Sequence, residues 1–187
     1  MLFKEGEKME GMFYIYEGMA KIHKKWGDDR ELILRFADNG EILGHRGLGL
    51  EPLYPVSATA LTNVTACYFP LGFFMESIEA NHVFANDLLW FFAAELKSSE
   101  RRMYQMMLLP VKSRLAQTLL KFREKFGVDE NQFIRLHITK TDIASYLGVT
   151  YETIFRSLQE MEAEGLIELD AKNIRILNDD GLRALFE

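Results

Sequence analysis

The 187-residue sequence has little cysteine and proline and no long apolar run. Cys67 is the only cysteine, so one chain can form neither an internal disulfide nor a cysteine-ligated iron–sulfur cluster. No apolar run reaches the roughly 18 residues that a membrane span needs, and the amino end lacks the charged-then-apolar order of a signal peptide. We therefore expect a soluble, cytoplasmic protein with no membrane partner.

A net positive charge is also lacking, because the formal net charge is −6. This argues against a protein that coats nucleic acid without specificity, although a local site needs only a few cations. The sequence is 48% hydrophobic and 27% charged, which suits one large or two small domains with real cores. Charge and composition alone therefore do not decide the function.

The first seventy residues alternate apolar and polar positions in short runs, among them "MFYIYEG", "ELILRF" and "VSATAL". Such alternation between turn residues is typical of an antiparallel β-barrel or sandwich. After Pro70 the period changes, and apolar residues recur every three or four positions from Leu71 to Leu109. This second pattern predicts one long helix.

The long helix carries an apolar stripe that a small barrel cannot cover over its full length. A second copy of the chain is the natural partner, so we expect a homodimer, with packing under the helix's own domain as the alternative. The expected interface residues are Leu89, Phe92, Ala93, Leu96, Met103, Met106 and Met107.

Pro110 ends this helix and marks a domain boundary. Beyond it, "VKSRLAQTLLKFREKFG" predicts an amphipathic helix ended by Gly127, and "QFIRLHIT" predicts a short strand. The expected organisation is a β-barrel over 1–79, a dimerisation helix over 80–109 and a second domain over 110–187. The fold class is α+β.

The stretch "TKTDIASYLGVT" predicts two helices joined by a tight turn. Thr139 and Asp142 have the spacing of a capping box, and Gly148 supplies the turn. The small Ala144 and the apolar Ile154, ten positions later, suit a helix-turn-helix, whose second helix enters the DNA major groove.

The second of these helices has two different faces. Thr150 can cap it, while Ile154, Leu158 and Met161 share the face that packs. The opposite face carries Glu152, Phe155, Arg156 and Gln159. The following "GLIELDAKNIRIL" predicts two strands around a turn at Lys172 and Asn173, which is the layout of a wing. The second domain is thus predicted to be a winged helix-turn-helix.

The stretch "ITKTDIASYLGVTYETIFRSLQEMEAEGLIEL" resembles the DNA-binding domain of the Crp/Fnr family of bacterial transcription regulators. The runs "LFKEGE", "MFYIYEGMAKI", "DNGEILG" and "SATALTNVTACYFP" are similar to that family's cyclic-nucleotide-binding-type, jelly-roll barrel. Family members usually carry an extra leading helix and strand, whereas this sequence begins inside the first barrel segment. The resemblance implies a regulator that binds double-stranded DNA, with RNA polymerase as a further partner if it activates transcription.

The resemblance also assigns base-reading residues. Glu152 and Arg156 match the family's glutamate and arginine, which can read cytosine and guanine for roughly 1–3 kcal/mol each. The alternative is an exposed intrahelical pair worth a few tenths of a kcal/mol. Tyr151 and Phe155 occupy positions where the family varies its half-site. The DNA-binding set is completed by Gln159 and Lys140, with Lys112 and Arg114 as further candidates for phosphate contacts.

The resemblance argues against cyclic AMP as the effector. Cyclic-AMP-binding members use a Gly-Glu pair and a later arginine, whereas here Gly44 is followed by His45 and the arginine position falls at Tyr54 or Pro55. Arg46 and the backbone donors of "GHRGLG" could still attract a different acidic effector. Our candidate pocket is Gly44, His45, Arg46, Tyr54 and Ser99, and the alternative is a barrel filled by its own side chains.

Three other classes of protein are alternatives to a DNA-binding regulator of this kind: a haem sensor, a metalloenzyme and a protein-binding module. Haem sensing would use His23, His45, His82 or His137 as an axial ligand, and we expect none of them to be one. A cupin-like metalloenzyme needs clustered ligands, but only His23 and His45 lie in the barrel region, so we expect no metal and no catalytic residue. The remaining alternative is a cupin-like barrel whose winged domain binds another protein instead of DNA.

Overall fold

The structure, a computed structural model, describes residues 1–27, 30–135, 138–171 and 173–186. The chain divides into two compact units, Met1–Arg102 and Met103–Glu187. Each unit has its own apolar core. The expected division at residues 79 and 109 stays a prediction.

The first unit contains two three-stranded antiparallel sheets. The strands are β1 (Gly11–Glu17), β2 (Ala20–Trp26), β3 (Arg30–Ala37), β4 (Ile42–Leu43), β5 (Ser57–Ala60) and β6 (Thr65–Pro70). One sheet has the order β4-β1-β6 and the other β3-β2-β5. Both sheets contribute to one core, with Met12 and Ile15 from the first and Ile22 and Ala58 from the second. The prediction of an antiparallel β-domain is confirmed.

Two helices follow where the sequence pattern predicted one over 71–109: α1 (Leu71–Ala80) and α2 (His82–Leu108). That prediction was wrong at Asn81, whose backbone is extended with φ −135° and ψ 98°. The Asn81 side-chain oxygen accepts hydrogen bonds from the amides of Val83 and Phe84, each at 3.1 Å, and so starts a new helix. In the described residues no helix is long and apolar enough to cross a membrane.

The second unit is a small helical domain with a β-hairpin. Its elements are α3 (Val111–Phe126), α4 (Lys140–Leu147), α5 (Tyr151–Ala163), β7 (Ile167–Asp170), β8 (Asn173–Ile176) and α6 (Asp179–Arg183). Leu119, Ile143, Leu158 and Ile174 come from four of these elements and are each almost fully buried. As predicted, α3 ends at Gly127, and the hairpin is the expected wing, although Lys172 of its turn lies outside the described residues.

The strand predicted in "QFIRLHIT" is much shorter than expected. Phe133 and Ile134 each form an isolated antiparallel bridge, while 136–137 lie outside the described residues. Asp129 accounts for the difference because its carboxylate accepts hydrogen bonds from the amides of Asn131 and Phe133, both at 2.9 Å, which holds a turn there. Ile134 still donates to the carbonyl of Ile174 at 2.9 Å, so the segment adds one rung to the wing.

Candidate nucleic-acid interface and pocket

The helix-turn-helix is fixed by local hydrogen bonds that its sequence predicts. The Thr139 hydroxyl accepts from the Asp142 amide at 3.1 Å, and the Asp142 carboxylate accepts from the Thr139 amide at 2.9 Å. Gly148 ends α4 in the left-handed conformation, with φ 66° and ψ 37°, which few other residues adopt. Thr150 then caps α5 by accepting from the Thr153 amide at 3.3 Å. The predicted capping box, turn and cap are all confirmed.

The two predicted faces of α5 are also confirmed. Ile154, Leu158 and Met161 are fully buried. The opposite face is exposed and carries Tyr151, Glu152, Phe155, Arg156 and Gln159. Because apolar packing holds one face, the polar groups of the other are presented to solvent on a rigid element.

Glu152 and Arg156 do not form the intrahelical pair that was the alternative interpretation. In the part of the chain that the structure describes, neither side chain makes a hydrogen bond or an ion pair. The carboxylate and the guanidinium are therefore both open to an external partner, which is what base reading in a groove requires.

Tyr151 and Phe155 form an aromatic pair beside these charges. Their ring centroids are 6.0 Å apart and the ring planes differ by 16°, so the rings stack. The ammonium group of Lys140, the first residue of α4, lies 5.8 Å from the Phe155 centroid. The structure thus brings five predicted DNA-binding residues together on α5 and a sixth, Lys140, against them.

The two further phosphate candidates have contacts within the domain. Lys112 donates to the Glu164 carboxylate at 2.5 Å. Arg114 donates to the Leu147 carbonyl at 2.7 Å, at the end of α4, and burial lowers the pKa of its guanidinium. Both side chains therefore hold other parts of the domain in place. Their role in binding phosphate stays a prediction.

A small cavity lies in the barrel where four of the five pocket residues were expected. Gly44, His45, Arg46 and Tyr54 line it together with residues of the barrel core, and its volume is about 10 Å³, room for roughly one water molecule. Ser99 does not line it and is exposed on α2. This cavity is thus too small for a nucleotide, and the role of the five residues as an effector pocket stays a prediction.

Tyr54 is one of the residues that line this cavity. Its ring stacks on Phe3 with centroids 4.1 Å apart, and its hydroxyl donates to the Gly11 carbonyl at 2.8 Å. Burial is the main cause of the raised pKa of Tyr54. Gly44 has φ +93°, and a Cβ atom there would lie 3.1 Å from the Tyr54 ring. The glycine therefore permits the close approach of Tyr54 to the β4 end.

An ion cluster that sequence reasoning missed lies next to the cavity. Glu95 of α2 accepts from Arg46 at 3.1 Å, and its carboxylate is 3.6 Å from Nε2 of the buried His45. The pKa of Glu95 is lowered to about 2, first by His45 and then by the charges of Arg35 and Arg46, against the effect of burial. No local pattern reveals this cluster, because Glu95 lies 50 residues after His45 in the sequence.

The other candidate histidines are in different surroundings. His23 is buried in β2, with Nδ1 2.6 Å from Glu31 and Nε2 2.9 Å from the Thr59 hydroxyl, and burial lowers its pKa. His82 is exposed at the start of α2, and His137 lies outside the described residues. In the described part of the chain, no three His, Cys, Asp or Glu side chains converge on a possible metal site.

Most of the apolar stripe of α2 is exposed in the part of the chain that the structure describes. In the described residues α2 has no buried side chain, and Leu96 and Met107 are 61% and 83% exposed. Leu89 and Met103 are also exposed, and the half-buried members of the expected interface are Phe92, Ala93 and Met106.

Comparison with known proteins identifies both domains. Residues 1–81 match the family described as cyclic nucleotide-binding domain, and residues 113–185 match the Crp-like helix-turn-helix domain. The transcriptional activator protein FnrA of Stutzerimonas stutzeri is 28% identical over 98% of this chain and 76% of its own length. A CRP-like cAMP-activated global transcriptional regulator of Mycobacterium tuberculosis is 25% identical over 97% of this chain and 82% of its own length.

Solved structures show the same fold. FixK2 from Bradyrhizobium japonicum superposes with a TM-score of 0.87 at 23% identity, covering 100% of this chain and 92% of its own. Both domains and their order along the chain therefore agree with the sequence prediction. The protein belongs to the Crp/Fnr family of DNA-binding transcriptional regulators, which are not enzymes.

Proposed function

We propose that the protein acts in the cytoplasm as a homodimer on an inverted-repeat DNA site, with one α5 helix in the major groove of each half-site. The observation that carries this proposal is the exposed face of α5, where Glu152 and Arg156 have no partner in the described residues. The Glu152 carboxylate would accept from a cytosine amino group, and the Arg156 guanidinium would donate to guanine O6 and N7. The half-site would therefore contain G·C pairs.

The exposed stripe of α2 supports the homodimer. Leu89, Leu96 and Met103 are more than half exposed, and contiguous apolar surface of this kind is typical of a protein interface. Two α2 helices packed along this stripe would remove it from water and relate the two α5 helices by a two-fold axis. An effector or protein partner that shifts α2 would then control the fit to successive major grooves.

We propose that the effector does not bind as cyclic AMP binds in other members of the family. His45 stands where a glutamate would bind the ribose, and its Nδ1 donates to the Ile42 carbonyl of its own chain at 3.2 Å. Tyr54, one of the two positions at which the phosphate-binding arginine would fall, is buried and donates to the Gly11 carbonyl of its own chain. One relative is named a cAMP-activated regulator, whereas a Xanthomonas campestris regulator with the same fold is described as responsive to c-di-GMP, so the fold alone does not fix the effector.

Selection from a random pool of double-stranded DNA tests the proposal directly. We expect enrichment of an inverted repeat with G·C pairs in each half-site, and binding that weakens steeply as salt rises. If the protein activates transcription, as the name of its FnrA relative states for that protein, RNA polymerase is its further partner. Selection without any enriched repeat, with and without cell extract, would instead favour a winged domain that binds protein.

A further inference from the structure

The aromatic pair on α5 has no explanation in the reading of G·C pairs. Tyr151 is 44% and Phe155 38% exposed, and they form a second stripe one residue away from Glu152 and Arg156. Exposure of apolar rings to water is unfavourable. Contact with DNA would offset this free energy if α5 lies in the groove.

The chemistry of Phe155 limits what it can recognise. Its side chain has no hydrogen-bond donor or acceptor, so it cannot read the polar edges of bases. The apolar group that the major groove presents is the C5-methyl group of thymine. A phenylalanine held at this surface is therefore suited to contact that methyl group.

The ring of Phe155 is held in place before DNA binds. Tyr151 stacks beside it at 6.0 Å, with planes only 16° apart, and the Lys140 ammonium group lies 5.8 Å from its centroid. A side chain restrained in this way loses little rotamer freedom on binding. Lys140 can at the same time donate to a phosphate of the same strand segment.

We infer that Phe155, supported by Tyr151, selects a thymine in each half-site, next to the G·C pairs read by Glu152 and Arg156. The inference rests on the proposed function, because it requires α5 to lie in the major groove. Its ligand is one methyl group on a known base, so it can be tested by removing that group alone.

The test compares thymine with deoxyuridine, which lacks only the methyl group, at each thymine of the selected inverted repeat. For the wild-type protein we expect one symmetric position at which deoxyuridine weakens binding about fourfold per half-site, or roughly sixteenfold in both. Phe155→Ala should bind the two DNAs equally, whereas Phe155→Leu should keep part of the preference. Phe73→Ala is the control. It removes an exposed phenylalanine of α1, distant in sequence from α5, and should keep the full preference for thymine.

The outcomes separate this inference from the function on which it rests. If selection yields no inverted repeat, both fail. If it yields a repeat in which every thymine accepts deoxyuridine without loss, or if Phe155→Ala keeps the wild-type preference for thymine, the DNA-binding function stands and the thymine contact is overturned. The wild-type comparison needs no variant, so a folding defect in Phe155→Ala leaves the test decisive.

Discussion

Arg156 is an exposed residue that we expect to determine base preference without contributing to the stability of the fold. Its side chain makes no hydrogen bond or ion pair in the described residues, so its removal should leave the fold and the dimer intact. Arg156→Ala should cost about 1–3 kcal/mol of binding per half-site and flatten the preference at one G·C pair. Selection from a random DNA pool, with sedimentation to follow the dimer, measures both effects.

Arg183→Ala is the matched control, because Arg183 is an exposed arginine on α6 of the same unit. Its half-site preference should equal that of the wild type. If Arg156→Ala keeps the wild-type preference at every base pair, then α5 is not the reading helix.

Glu95 is the residue for which the structure predicts a dependence of stability on pH. The pKa of its carboxyl falls from 4.5 to about 2 in the folded protein, so the carboxylate stabilises the fold fully above about pH 5. This contribution is lost as pH falls from about 5 to 2, because the folded state then binds the proton less readily than the unfolded state. After allowance for solvent screening it amounts to about 1–2 kcal/mol.

Glu95→Gln should therefore lower the free energy of unfolding at pH 7 and have a smaller effect at pH 3.5, as measured by urea titration. Glu100→Gln, at an exposed position on the same helix, should change little at either pH. An equal loss at both pH values would mean that Glu95 acts through packing and not through its charge.

At the scale of elements, the apolar stripe of α2 predicts where the dimer can be broken. Leu96 is 61% exposed, so a charge there should be tolerated by the single chain but not by a second helix packed against it. Leu96→Glu should weaken dimerisation at least about 100-fold, since two leucines leave the interface at about 1.5–3 kcal/mol each. Sedimentation equilibrium measures the change.

Ser98→Glu provides the comparison, because Ser98 is exposed two residues further along α2 and so points to a different side of the helix. It adds the same charge and should leave the dimer intact. Equal weakening by both substitutions would show that added charge on α2, and not the loss of the apolar stripe, controls association.

Elements built from local signals were predictable from the sequence, and those built from distant contacts were not. The capping box at Thr139, the turn at Gly148 and the buried face of α5 each follow from spacing along a few residues. The break at Asn81 was missed although its signal is local, since an asparagine before a helical run can cap a new helix. The contacts of Glu95 with His45 and Arg46 depend on the barrel topology, which no spacing rule encodes.

The whole molecule binds DNA in spite of its negative charge. The formal net charge of −6 opposes approach to phosphate at long range, so affinity must come from cations close to the groove and, in the proposed homodimer, from contacts that each protomer repeats. Doubling the contacts through a dimer is the means by which a small acidic protein can reach specific affinity. Specific binding should then depend on the distance between half-sites as well as on their sequence.

We expect the affinity of the proposed dimer to depend on the spacing between the two half-sites. In a two-fold dimer with one α5 helix per protomer, half-site centres lie about 10 bp apart, one turn of the duplex. Inserting about 5 bp between the selected half-sites turns one of them to the opposite side of the DNA, so we expect affinity to fall to that of a single half-site. A spacer of unchanged length but altered sequence is the control in a gel-shift titration and should bind like the selected site. Equal affinity for the lengthened site would mean that the two protomers bind independently, and the proposed dimer would then have no part in recognition.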